Sequence, residues 1–251
     1  MELTLYGVNI WGAALVFARV GAIISLLPGF GEPAVPQRFR LALALLVVVT
    51  LVPSIAPNVP PPPQETWQAA AMITNEVAVG LFIGSIARMM FAALATAGQV
   101  VGNEIGLAFA QVADPTMSQA GQIFSVYLSI LGVAMVFATD LHHVFLTGIV
   151  RSYATFQAGI LPNLGDAAEM AVTVTGQSFA IGVQIAAPLI LAGLIFRLGL
   201  GVLSRLIPNI QVFFVTMPLS LLGGFVIFAM GLSGGMIVWL DRLQQQAVSF
   251  P

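Results

Sequence analysis

The chain of 251 residues is only 7% charged and 59% hydrophobic, with a mean hydropathy of +1.00 and a formal net charge of −2. Ordinary soluble proteins are roughly a quarter charged, so a water-soluble fold is excluded: it would expose apolar surface that belongs inside. All 8 basic residues are arginines scattered along the chain, which excludes the clustered basic face of a nucleic-acid binder, and the lack of cysteine excludes disulfides, thiolate metal sites and cysteine nucleophiles.

In chain order, the first cation is Arg19, deep in an apolar run rather than in a cationic leader, so the N-terminus is expected to be retained. Apolar stretches of about twenty residues can span a bilayer. They fall at about 3–27, 41–56, 67–100, 118–139, 176–196 and 212–240, which predicts about six hydrophobic helical segments. Between them lie a Pro/Gly/Arg loop at 28–40, a stiff proline run at 57–63, a polar glycine-rich stretch at 98–122 and an acidic connector at 162–169. The apolar piece 144–150 is too short to span and reads as re-entrant or interfacial. The uncharged run 212–240 would extend about 43 Å as helix, longer than a ~30 Å hydrocarbon core. Pro218 and the Gly223-Gly224 pair are where it could bend or divide. By the distribution of arginine, Arg38/Arg40 and Arg197/Arg205 face the cytoplasm, with the N-terminus, the proline run and the acidic connector opposite; Arg151 fits poorly.

Four charged residues, Arg19, Glu76, Arg88 and Glu104, interrupt the first half. A charge at mid-membrane costs about 2.5–3.5 kcal/mol or more unless paired or hydrated. All four therefore read as buried ionisable residues with a structural role, facing protein or a water-filled path. Gly98, Gly102 and Gly106 form two consecutive GxxxG steps, and the spacing recurs at Gly80 and Gly84. On a helix this lays glycine along one face and lets another backbone approach closely; flexible loop glycine is the alternative. The following stretch, Gly106-Leu107-Ala108-Phe109-Ala110-Gln111-Val112-Ala113-Asp114-Pro115, leaves helical regularity, because proline turns Asp114 away from helical backbone. It fits an ordinary interhelical loop, or an irregular segment at membrane depth, which is tolerated only where protein or a cavity surrounds it.

Two enzyme-like patterns carry little. Gly231-Leu232-Ser233-Gly234-Gly235 matches G-x-S-x-G, but a nucleophile elbow needs a strand before the serine and a helix after it. Here the serine lies inside the long uncharged run. Asp140-Leu141-His142-His143 suggests a metal site, yet adjacent helical residues diverge by about 100°, and no third His or Cys completes an ordinary zinc set. Interfacial histidines bonded to backbone or water are the preferred reading, so no metal and no cofactor are expected.

Four stretches carry a family resemblance. Arg19…Leu27-Pro28-Gly29-Phe30-Gly31…Val35-Pro36…Arg40, followed at once by an apolar helix, resembles the start of the FliR family, the flagellar type III export-gate component. Glu76…Gly80…Gly84 opens the third block as in that family. Gly98-Gln99…Gly102…Gly106-Leu107-Ala108-Phe109-Ala110…Asp114-Pro115 resembles its central motif, and Ala187-Pro188…Arg205-Leu206-Ile207-Pro208…Phe213…Pro218-Leu219 its C-terminal hairpin. One departure is the amide pair, commonly Pro-Gln-x-Asn in relatives and here Pro208-Asn209-Ile210-Gln211. Injectisome relatives share the plan.

The resemblance implies an all-α integral membrane protein whose segments fold as bent hairpins in a hetero-oligomeric helical assembly. It implies a single export-gate domain over 1–251, with N-terminal hairpins at 1–160, a central loop at 98–122 and a C-terminal hairpin at 161–251. It further implies a non-enzymatic subunit that forms, with FliP and FliQ, the channel for unfolded flagellar proteins across the bacterial inner membrane at the basal body, contacted by FlhB, FlhA and membrane lipid. The family's central loop is a pore plug, and the matching residues are Gly106, Leu107, Phe109, Val112, Asp114, Pro115 and Met117. Their chemistry suits a plug: apolar side chains dewet a constriction, small residues keep backbone motion cheap, and methionine adapts to varied surfaces. Two other classes remain: a secondary transporter using Glu76, Arg88, Glu104 and Asp114 as coupling groups, though no repeated halves are visible, and a membrane serine hydrolase using Ser233.

Overall fold

The structure, a computed structural model, describes residues 4–5, 8–55, 59–107, 122–206 and 212–249. Two-residue strands, Thr4–Leu5 and Val8–Asn9, pair antiparallel. Otherwise the described residues form an all-α fold of seven helices: α1 Ile10–Leu26, α2 Gln37–Ile55, α3 Thr66–Ile105, α4 Ile123–Ala138, α5 Leu141–Thr155, α6 Leu164–Leu206 and α7 Val212–Ser249. Four of them (α2, α3, α6 and α7) are long and apolar enough to cross a membrane, or five spans if the bent pair α4 and α5 counts as one.

The apolar blocks are therefore where the sequence places them, but the count of six spans and several boundaries change. The short paired strands take up the start of the first block and leave α1 only 17 residues, about 26 Å, short of the hydrocarbon core. The glycine-rich stretch is helical as far as Ile105, giving α3 40 residues. The acidic connector is the start of α6: Asn163 Oδ1 accepts the Gly165 N–H at 3.0 Å, a helix N-cap, and Asp166 in the first turn meets the positive end of the helix dipole. Residues 144–150 belong to the regular helix α5. Pro218, Gly223 and Gly224 do not divide α7, which is continuous over 38 residues.

The chain divides into two compact units, the first comprising Met1–Met89, Thr139–Val174 and Gln244–Pro251. Its core is built from Leu15, Val16, Val20 and Ile23 of α1, Val48 and Val52 of α2, Val79 and Ile83 of α3, and Ile149 of α5. The small residues of α3 determine how closely α1 approaches. A Cβ on Gly80 would lie 2.5 Å from the Arg19 carbonyl oxygen, and one on Gly84 would lie 2.7 Å from the Leu26 Cβ.

The second unit comprises Met90–Ala138 and Thr175–Leu243. Its largest fully buried side chain is Trp239, whose indole N–H donates to the Met90 carbonyl at 3.0 Å and whose ring stands edge-on to Phe91 at 5.0 Å. Gly98 sits so close to α4 that any Cβ would overlap the backbone of Phe124 and Ser125, while Ser125 Oγ donates back to the Ala95 carbonyl at 2.8 Å. Phe124 continues the seam toward α7, stacking edge-on against Phe228 at 4.9 Å.

Candidate functional site

In the first unit, Arg19 and Glu76 meet across 57 residues of sequence. Both are fully buried, at 0% and 1% exposure. Arg19 Nε donates to Glu76 Oε2 at 2.7 Å and Nη2 to Oε1 at 3.0 Å, a bidentate fork. Its Nη1 donates to the carbonyls of Phe156 at 2.9 Å and Ser152 at 3.3 Å at the end of α5, where the Ser152 carbonyl also accepts the Phe156 N–H at 2.8 Å and the dipole favours a cation. The guanidinium carbon lies 4.0 Å from the centre of the Tyr153 ring, a cation–π contact. Glu76 Oε1 also accepts the Gly159 N–H at 2.6 Å, and Asn75 Nδ2 donates to the Gly159 carbonyl at 3.2 Å. The pair thus ties α1, α3 and the end of α5 together. The expensive charges in apolar blocks announced that partners exist, but nothing in the sequence points to Ser152, Tyr153, Phe156 or Gly159, because three of the four contribute backbone groups.

In the second unit, Glu104 pairs with Arg197, whose Nη2 donates to Oε2 at 2.9 Å; the side chains are 16% and 60% exposed. Gly193 leaves the room on α6 in which the carboxylate lies. An apolar groove of about 490 Å³ adjoins this pair, lined by Leu189, Phe196, Leu219 and Ile227 among others.

Two of the expected roles need correction. Arg88 is exposed, not buried. The buried stripe of α3 runs through Val79, Ile83, Ile86, Met90, Leu94, Ala97, Val101 and Ile105, and Arg88, two residues from both Ile86 and Met90, projects from the other side of the helix. Gly106 is not a groove residue on a helix. It has φ +97°, with its N–H bonded to the Asn103 carbonyl at 3.2 Å and the Leu107 N–H to the Gly102 carbonyl at 3.0 Å. These two bonds and the left-handed glycine are a Schellman motif that ends α3. Gly80, Gly84, Gly98 and Gly102 are buried helical positions. The remaining plug residues, Phe109, Val112, Asp114, Pro115 and Met117, lie outside the described residues, as does the Asn209/Gln211 amide pair.

Ser233 has helix on both sides, within α7, so the strand–turn–helix of a nucleophile elbow is not formed. The histidines depart from expectation. Their rings lie 4.1 Å apart, tilted by 37°, rather than diverging. They occupy the first turn of α5, where no preceding turn crowds the side chains and rotamers barred from a helix interior are open.

Apolar helices this long, with much of their surface left uncovered by the chain itself, define an integral membrane protein; the buried share of the apolar window is 50% in α3 but only 22% in α2, 28% in α6 and 6% in α7. Comparison with known proteins sharpens the class. The model of the bacterial export proteins, family 1, matches residues 10–246. The chain is 42% identical over 237 residues to the flagellar biosynthetic protein FliR of Caulobacter vibrioides, covering 94% of each chain. It is 30% identical over 212 residues to FliR of Escherichia coli, covering 84% of this chain and 80% of that one. It is 25% identical over 183 residues to the Yop proteins translocation protein T of Yersinia pestis, covering 72% and 70%. The chain belongs to the FliR family of bacterial export proteins.

Proposed function

We propose that the protein is a non-enzymatic subunit of the flagellar type III export gate, forming with FliP and FliQ the channel through which unfolded flagellar proteins cross the inner membrane at the basal body. FlhB and FlhA contact it there, and it works as one membrane domain. The observation that carries the flagellar assignment is the likeness to a flagellar relative along 94% of both chains, against a weaker and shorter likeness to the Yersinia translocation protein. The physical form supports an assembly. Helices α3 and α6, of 40 and 43 residues, extend about 60 and 65 Å, twice a ~30 Å hydrocarbon core. Apolar surface beyond the reach of lipid tails needs covering by other subunits.

Within that assembly the Arg19–Glu76 pair is structural, Gly98 and Gly102 give a tight helix interface, and the segment from Gly106 to Met117 is the plug that stops ions while the gate is idle. The Schellman turn at Gly106 supports the last role, since it releases the chain from α3 where the plug begins. The test is a tagged version purified in mild detergent from its own cells, together with secretion of flagellar proteins from a strain lacking it. Copurification of FliP and FliQ and loss of secretion are expected. Purification free of both, with secretion undiminished in the deletion strain, would refute the assignment.

A further inference from the structure

We propose that Asp140, His142 and His143 form a binding site for a divalent first-row transition ion, zinc being the ion that the donor set suits best. Their candidate ligand atoms all lie within 4.8 Å of one another. Asp140 Oδ1 and His143 Nδ1 are 3.8 Å apart. Two donors on one zinc ion, each about 2.0–2.1 Å from the metal, stand roughly 3–3.4 Å apart, so small side-chain rotations close the set. Asp140 and His143 are largely exposed, at 79% and 68% of their side-chain surface, and free to make them.

A second observation concerns the backbone. Asp140 holds the N-cap position of α5, where an aspartate ordinarily accepts a backbone N–H of the first turn, yet its side chain makes no capping bond. Its φ is +58°, and it is the one non-glycine residue with positive φ among the described residues. With this left-handed backbone the carboxylate caps no N–H of the first turn and lies beside the imidazole of His143. The chain has only two histidines, and both stand here with their rings 4.1 Å apart. The two imidazoles favour zinc, copper or nickel over magnesium or calcium, which prefer oxygen ligands throughout, and the carboxylate serves either class. Water completes the coordination, and the bound ion pins the first turn of α5 to the residue that precedes it.

The experiment titrates Zn²⁺ into the full-length chain, carried on a tag without histidine and purified in mild detergent, by calorimetry. Co²⁺ serves as a second probe through its visible absorption. One ion per chain in the micromolar range is expected, removable with EDTA. His142→Ala and His143→Ala should each weaken binding about tenfold or more, and Asp140→Asn, which tolerates the same backbone, several-fold. Asp140 and His143 are exposed and His142 is half-buried, and unchanged helical circular dichroism in the variants separates lost ligands from lost structure. Absence of saturable Zn²⁺ binding to the wild type, or binding equally tight in the His142→Ala/His143→Ala double variant, overturns the proposal.

Discussion

Glu76→Gln tests whether the buried ion pair is a structural tie. The substitution leaves the size and one acceptor oxygen but removes the charge facing Arg19, and that guanidinium is 0% exposed. The two carbonyls and the Tyr153 ring still hold Arg19, but a lone amide oxygen cannot serve Nε, Nη2 and the Gly159 N–H together. Breaking a buried pair by removing one partner costs about 3–5 kcal/mol, and the retained acceptor puts Gln at the lower end, about 3 kcal/mol. For a chain of this size, each kcal/mol moves the midpoint by about 2–4 °C, so the melting temperature in detergent should fall by roughly 6–12 °C. Glu76→Ala should fall further. The double variant Arg19→Met/Glu76→Leu should recover to within about 1 kcal/mol of the wild type, because it removes both desolvated charges. Thermal unfolding followed by circular dichroism gives the three numbers, and secretion from cells gives the functional readout. A Glu76→Ala protein as stable as the wild type, or a double variant no better than the singles, would refute the reasoning. Loss of secretion by Glu76→Gln in a gate that assembles normally would show that the carboxylate carries protons rather than structure.

Three further outcomes follow from the packing. Gly98→Ala should destabilise the protein by about 2 kcal/mol or more, since overpacking costs about 1–3 kcal/mol and the new methyl meets backbone; Gly199→Ala, with open space around it, should be neutral or slightly stabilising in the same melts. Glu104→Gln should cost less than about 1 kcal/mol, because an ion pair with one partner 60% exposed is worth little; a loss as large as that of Glu76→Gln would mean that another subunit buries the pair. Replacing Phe109 and Met117 with serine should let ions leak through the purified complex in planar bilayers without stopping its assembly, and conductance equal to the wild type would assign the seal elsewhere.

Hydropathy alone determined that this chain lives in a membrane and that its helices are the apolar blocks, because bilayer insertion depends on composition over about twenty residues. It also showed that Arg19, Glu76 and Glu104 must be compensated, since the cost of a charge in a dry place is a property of the charge. Which groups compensate them was decided by tertiary structure: the partners stand 57 and 93 residues away, and several are backbone carbonyls and amides that every residue offers. The helix ends were hidden for the opposite reason. Their signals are local but common, and the Asn163 cap with Asp166 behind it reads as an acidic loop until a helix is seen to start there. Gly98 and Gly106 occupy equivalent places in one sequence pattern, yet Gly98 is pressed against α4 and Gly106 ends α3. A spacing rule presumes an unbroken helix, and only the fold shows where the helix stops. Arg88 and the histidine pair make the same point with side chains: burial depends on which face of α3 meets protein, and two imidazoles meet or part according to rotamers that the first turn of a helix leaves open.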